Sequence, residues 1–277
     1  MKEKLVLGHS PIVLLQEFCN VKAVGTCMNN PKEELPPRVR WIVRKCEEFG
    51  FEYSIDRWTE ESFPLYNIYL YGEGPLMLIA HHDIHNPDSE NANDNSASIV
   101  NALLLKTLNP NVPICFTDAE EFGLLGAKRL ANLMLNKKNE KFAPHAMSVL
   151  NLELTGRGGE YFFVGRNKGK RALISEFIAS IFDNPTYSVP LNDSVILEEM
   201  GIDCCVINPL PPMSEEQKSE TIGYIDENPI VYKGEHLDKN VLYLCHSTED
   251  TVSKCSNKEM KEFITEVLYP ICLRFMQ

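Results

Sequence analysis

The stretch Val112–Ala127, VPICFTDAEEFGLLGA, decides how the fold is read. Its apolar run, Ile114 to Phe116, follows Pro113 and ends in an acidic turn. Short continuous apolar runs bounded by turn signals suit strands buried on both faces. The residues after the turn, LLGAKRLANLML, have the spacing of a helix packed through small side chains. The stretch therefore reads as a buried strand followed by a helix. Glu120 and Glu121 lie in the turn between them. Two adjacent carboxylates repel each other, and neither can enter a core without a partner. They make sense if a cation lies between them.

The same pattern spreads outward in both directions. LMLIAHHD is a second buried strand, and NDNSASIVNALLLKTL after it is a helix. HAMSVLNLELTG, GEYFFVGR and IDCCVINPL read as further strands. GKRALISEFIASIF and SVILEEMG read as helices. EYSIDRW and LYNIYLYGEGP are strands before the first buried one. Helices at Pro11–Cys19, with Ser10 as its cap, and from Pro36 to Gly50 open the chain; NKEMKEFITEVLYPICLRFM closes it. Strands alternating with helices predict an α/β fold, a three-layer α/β/α sandwich around a mixed, mainly parallel sheet. The whole chain, 1–277, is expected to be a single catalytic domain. Pro211 to Asn240 is polar and too long for a plain loop, and is expected to be an inserted lid or rim.

Bulk properties narrow the function. The net charge of -12 argues against nucleic acid and against anionic membrane surfaces. At 44% hydrophobic and 24% charged the chain is an ordinary globular protein. Nine scattered cysteines with no CxxC pair read as reduced thiols, so a cytoplasmic location is expected. The N-terminus, interrupted by Gly8-His9-Ser10-Pro11, makes a poor signal peptide, and no run is long enough to span a membrane.

Ionisable residues gather where the strands end. LMLIA runs into His81, His82 and Asp83; the strand ending at Phe116 runs into Asp118, Glu120 and Glu121; SVLNL runs into Glu153. Open α/β sheets bind ligands outside the carboxyl ends of their strands. Imidazoles and carboxylates together form a donor set suited to zinc, and two zincs about 3.5–4 Å apart need a bridging carboxylate. Asp94, at the start of a helix, is placed to bridge.

AHHD, NANDNSAS, DAEEFGLLGA, LNLELTG and CHSTEDT occur in the order seen in the co-catalytic di-zinc aminopeptidases. The chain resembles that family, which also holds glutamate carboxypeptidases and glutaminyl cyclases, over roughly residues 75–255. The resemblance implies a zinc exopeptidase-like fold and two zinc ions. It implies His81, Asp94, Glu121, Glu153 and His246 as metal ligands, with Asp94 bridging. It implies Glu120 as the general base, Asp83 as the carboxylate that orients His81, and Asp250 as the acidic neighbour of His246. NDSVILEEMGIDCCV matches a further family region, with Asp193 at its acidic position.

The chain departs from the family at three places. Glu153 stands where the aminopeptidases carry Asp, Ser98 where a Gly is common, and Cys245 where some relatives place a Tyr. Tyr224, Tyr232 and Tyr243 are candidates for the missing oxyanion donor. His82 and His85 read as bystanders. Local readings compete: Asp94 as a helix cap, and Glu120 and Glu121 as first-turn carboxylates. The function implied is hydrolysis of N-terminal residues from a peptide or aminoacyl substrate. The alternatives are a single-zinc glutaminyl-cyclase-like acyltransferase, an inactive relative that binds, and an amidohydrolase of small N-acyl conjugates.

Overall fold

The computed structural model describes residues 5–21, 35–143, 145–159, 161–165, 173–182, 185–186, 191–227 and 244–275. Two helices come first, α1 (Pro11–Cys19) and α2 (Pro37–Phe49). A hairpin follows, β1 (Tyr53–Glu60) and β2 (Phe63–Leu70), and then β3 (Leu76–His81), α3 (Ala97–Leu108), β4 (Ile114–Thr117) and α4 (Leu125–Leu135). The remaining strands are β5 (Ser148–Leu152), β6 (Tyr161–Val164), β7 (Pro185–Thr186) and β8 (Asp203–Leu210). The remaining helices are α5 (Leu173–Ile181), α6 (Asp193–Glu199), α7 (Glu215–Glu227), α8 (Asn257–Glu262) and α9 (Tyr269–Phe275).

The strands form one eight-stranded sheet in the order β1-β2-β4-β3-β5-β8-β6-β7. Its centre, β4-β3-β5-β8, is parallel, and β2 and β6 flank it antiparallel. The fold is therefore a three-layer α/β/α sandwich with a mixed sheet. Strand periodicity builds the layers. Along β3, Leu76, Leu78 and Ala80 join the core beneath α1, α2, α3 and the C-terminal helices. Met77 and Ile79 face the other way, under α4 and α6. Every residue of β3, β4 and β5 is buried, as continuous apolar strands covered on both faces must be.

Close approaches fix the elements around the strand ends. Gly126, at the start of α4, lies against Asp118: an added Cβ would meet the Asp118 carbonyl oxygen at 2.4 Å. Only glycine lets this helix begin so near β4. Lys106, 2% exposed near the end of α3, donates through Nζ to the carbonyls of Tyr71 (2.6 Å), Pro110 (2.8 Å) and Val112 (2.8 Å). It ties that helix to the loops at the opposite end of the sheet.

Three details differ from the sequence reading. Ser10 does not cap α1; its hydroxyl donates to Asn257 Oδ1 at 2.9 Å, joining α1 to α8. The two-residue β7 is too short to leave a pattern. Within the polar segment from Pro211, residues 215–227 form α7. Its start is a reciprocal cap, with Gln217 N–H donating to Ser214 Oγ (3.2 Å) and Ser214 N–H donating to Gln217 Oε1 (2.9 Å). The spacing Ser-x-x-Gln was the signal for it. Residues 228–240 lie outside the described residues. Among the described residues no cysteine is paired with another and no helix is long and apolar enough to cross a membrane.

Candidate metal centre

The carboxyl ends of β3, β4 and β5 lie along one edge, with His81 opposite Thr117 in the ladder. His81 is the last residue of β3 and is 1% exposed. Its Nδ1 lies 3.2 Å from Asp83 Oδ1, and its Nε2 lies 3.3 Å from Asp94 Oδ1 and 3.6 Å from Glu153 Oε2. On the other side of Asp94, Oδ2 lies 3.5 Å from His246 Nε2, and that nitrogen is 3.2 Å from Glu121 Oε2. The two oxygens of Asp94 thus face two different histidines. All five sequence-predicted ligands, His81, Asp94, Glu121, Glu153 and His246, are brought into one cluster.

Each is held by its local structure. Ala92–Ser96 makes a wide turn before α3, and the Asp94–Asn95 peptide in it is cis. Both oxygens of buried Asp250 accept from that turn, one from Asn93 N–H (2.7 Å) and one from Asp94 N–H (2.9 Å). With its backbone tied this way, Asp94 does not cap the helix; its side chain accepts instead from Cys245 Sγ at 3.0 Å. Glu120 and Glu121 lie in the turn ahead of α4, not in its first turn. Their backbone N–H groups donate to Asp83 Oδ1 and Oδ2, each at 3.1 Å. Asp83 therefore fixes His81 and the glutamate turn together. Glu153 accepts from Asn95 Nδ2 (2.8 Å) and Asn151 Nδ2 (3.0 Å). Non-glycine residues in the left-handed region surround the site: Asn91, Ala119, Leu154 and His246 itself. Such backbone costs about 1–3 kcal/mol per residue and gathers where geometry is over-determined.

The electrostatics follow from crowding. Burial, with Glu121, Glu153 and Asp193 nearby, pushes the Glu120 carboxyl well above its usual range despite His81. Burial also works against the charge on Asp94, but His81, His246 and Cys245 outweigh it and hold this carboxyl low. Burial would lower His246, yet Glu121 and Asp94 lift it to about 9. Asp193, fully buried at the start of α6, is raised to about 7 by burial although Thr117 Oγ1 donates to it at 2.6 Å.

A divalent cation fits these residues. Imidazole nitrogens and carboxylate oxygens form the groups His81–Asp94–Glu153, His81–Glu120–Glu121 and His85–Glu121–His246, each with ligand atoms within 4.8 Å of one another. Glu121 Oε1 is buried without a hydrogen-bond partner among the described residues. Metal charge would relieve the repulsion among the carboxylates.

His82 and His85, both expected to point elsewhere, part ways in the structure. His82 Nε2 lies 2.7 Å from the Tyr66 carbonyl oxygen. His85 turns toward the cluster. Its Nδ1 lies 3.2 Å from Glu121 Oε2 and its ring stacks on His246. Nothing in the spacing separated them. Tyr232 and Tyr243, and the side chain of Tyr224, lie outside the described residues.

Known proteins show the same architecture. The fold is similar to Porphyromonas gingivalis glutaminyl cyclase (16% identity, TM-score 0.64, 96% of both chains covered). It is similar to a Zn-dependent exopeptidase from Parabacteroides distasonis (15%, 0.64, covering 95% of this chain and 97% of that one). It is also similar to the LapA aminopeptidase of Legionella pneumophila (14%, 0.66, covering 96% of this chain and 71% of that one). No curated protein matches the chain. Residues 70–270, a span that takes in the parallel core and every residue of the cluster, match the sequence pattern of peptidase family M28, and the chain belongs to that family.

Proposed function

We propose that the protein is a zinc-dependent aminopeptidase with two zinc ions held by His81, Asp94, Glu121, Glu153 and His246. The observation that carries this reading is Asp94, whose Oδ1 faces His81 and whose Oδ2 faces His246. A carboxylate that divides its oxygens between two donor clusters suits a bridge. Bound zinc supplies Lewis-acid polarisation of a substrate carbonyl and lowers the pKa of water. The residues supply the rest. Glu120, its carboxyl raised by burial and neighbouring carboxylates, is suited to take a proton from the attacking water and return one to the leaving amine. Asp83 positions Glu120 through the backbone and His81 through Nδ1. Asp94, Glu121 and Glu153 make an acidic pocket that suits a substrate's free α-amine.

The scattered cysteines of the sequence, unpaired where described, are the ground on which a cytoplasmic setting is proposed. The segment 211–240 is proposed as a rim over the cleft.

Glutaminyl-cyclase-like acyl transfer is the second reading, favoured by the match of the P. gingivalis enzyme to this chain over nearly the full length of both. One experiment separates the two. The purified protein is assayed on aminoacyl amides and on N-terminal glutaminyl peptides, with zinc counted by elemental analysis. Two zincs and amide hydrolysis support the aminopeptidase. One zinc with cyclisation supports the rival, and activity on neither removes both.

A further inference from the structure

Arg38 is a buried cation without a paired anion among the described residues. It lies in the first turn of α2 and is 5% exposed. Its Nε donates to the His82 carbonyl at 2.6 Å, and its Nη2 donates to Ser96 Oγ at 2.9 Å. A guanidinium has five N–H groups. The remaining ones, on Nη1 and Nη2, have no partner among the described residues. The Phe18 ring covers the group, its centroid 3.9 Å from Cζ. Burial lowers the guanidinium to about 10, against the longer-range pull of Cys19, Asp83 and Asp118. A charge held this way is costly until a counter-charge joins it.

Arg38 also lines a cleft of about 290 Å³ between the end of α1, the start of α2 and the turn that leaves β3. Val21, Ile84 and Pro87 give the cleft apolar walls, with the Cys19 thiol beside them. The polar residues on its side are bonded within their own loops. Ser89 Oγ donates to the Asp250 carbonyl at 3.0 Å. Asn91 Nδ2 donates to the carbonyls of Asn86 (2.7 Å) and Ser89 (3.0 Å). Glu90 Oε2 accepts from the Val252 N–H at 2.6 Å, and Glu90 forms no ion pair with Arg38. Arg38 is therefore the one cation on this lining among the described residues.

We propose that the cleft binds a small aliphatic carboxylate, with its charge on Arg38 and its hydrocarbon body against Val21, Ile84 and Pro87. The planar guanidinium fork matches the two oxygens of a carboxylate. The walls disfavour phosphate, because they offer few further donors and an ion's oxygens must all be satisfied when it leaves water. A short-chain acid has only one charged end to satisfy. This site is separate from the candidate metal centre and does not rest on the zinc reading, since the bonds of Arg38 go to His82 and Ser96 and not to the proposed ligands. Through them Arg38 joins the turn after His81 to the turn that carries Asp94.

The test titrates the protein as purified with 3-methylbutanoate by calorimetry, in chloride of constant ionic strength, with inorganic phosphate as a second arm. Saturable binding of the acid, tighter than that of phosphate, supports the proposal. Phosphate binding as tight as the acid's, or binding of neither, overturns it. A carboxylate can also bind a metal ion, so location is tested by substitution. Val21→Trp fills the cleft and leaves Arg38 and the metal cluster in place. Arg38→Lys keeps the charge and loses the fork. Each is expected to weaken binding by about tenfold or more, the scale of a charge-assisted hydrogen bond. Undiminished binding in either folded variant overturns the proposal. A crystal of the parent soaked in the acid gives an answer that needs no variant. Carboxylate oxygens within hydrogen-bond distance of Arg38, together with binding in solution, support the site. An empty cleft beside measured binding, or binding at crystal concentration only, overturns it.

Discussion

Asp250 holds Asp94 by its backbone: Asp250 Oδ2 accepts from the Asp94 N–H at 2.9 Å, and Oδ1 accepts from the preceding amide of Asn93 at 2.7 Å. The pairing joins the turn before α3 to the segment carrying His246, and so sets one half of the candidate centre against the other. Asp250→Asn keeps the shape but turns an NH2 group toward one of the two amides. An unpaired buried group costs about 1–3 kcal/mol. The expected outcome is a loss of stability of that size in urea unfolding, together with weaker zinc binding in a chelator competition. Unchanged zinc affinity would show that the pairing does not position Asp94.

Glu120→Gln removes the proposed base and keeps its size. Turnover is expected to fall by roughly 10²–10⁴-fold, the range of general acid–base catalysis, with zinc content retained. Glu121→Ala is expected to lose zinc instead. Elemental analysis beside initial rates distinguishes the two; full activity in Glu120→Gln would remove Glu120 from the mechanism.

The cluster makes stability depend on pH in a definite direction. Burial raises Asp193 and Asp250 to about 7 from a usual 3.8. Glu121 and Asp94 overcome burial to lift His246 to about 9 from 6.5. In each case the folded chain binds protons more tightly than the unfolded chain. Their stabilising effect is full below the unfolded values and is lost as pH rises through the folded ones. Protein stripped of metal should therefore lose thermal stability between about pH 5 and about pH 8. Zinc takes the place of the bound protons, so its stabilising effect should grow over the same interval. Differential scanning calorimetry with and without zinc reads both slopes, and a rising stability of the stripped protein would contradict the account.

Lys106→Met separates fold from site. The variant keeps the apolar stem but leaves the carbonyls of Tyr71, Pro110 and Val112 without their donor. A destabilisation of about 3 kcal/mol is expected in denaturant unfolding. Zinc stoichiometry should not change, since this contact lies at the opposite end of the sheet from His81.

Deletion of Ser214 to Glu220 removes the cap and the start of α7, where Glu215, Glu216 and Gln217 are exposed. If the segment is a rim, preference across a panel of aminoacyl amides should shift while zinc affinity holds. An unchanged profile in a folded variant would make it plain surface.

The parallel core and the strand-end part of the cluster were legible in the sequence because both depend on local pattern, while His246 and the role of each residue came with the family resemblance. Short continuous apolar runs bounded by turn signals suit strands covered on two faces, and side-chain alternation then assigns Leu78 and Ile79 to opposite cores. A parallel strand must deliver its next residues to one edge, so His81, Glu120 and Glu153 could be grouped before any coordinate was known. The tertiary structure decided what local pattern does not encode. Ser10 reads as a cap until Asn257, distant in sequence, takes its hydroxyl. The local pattern also allows Asp94 as a helix cap, until Asp250 and Cys245 come up against it. His82 and His85 look alike because strand alternation stops where the ladder stops. Beyond that point the direction of a side chain is set by the contacts that catch it: the Tyr66 carbonyl for His82, and Glu121 and the His246 ring for His85.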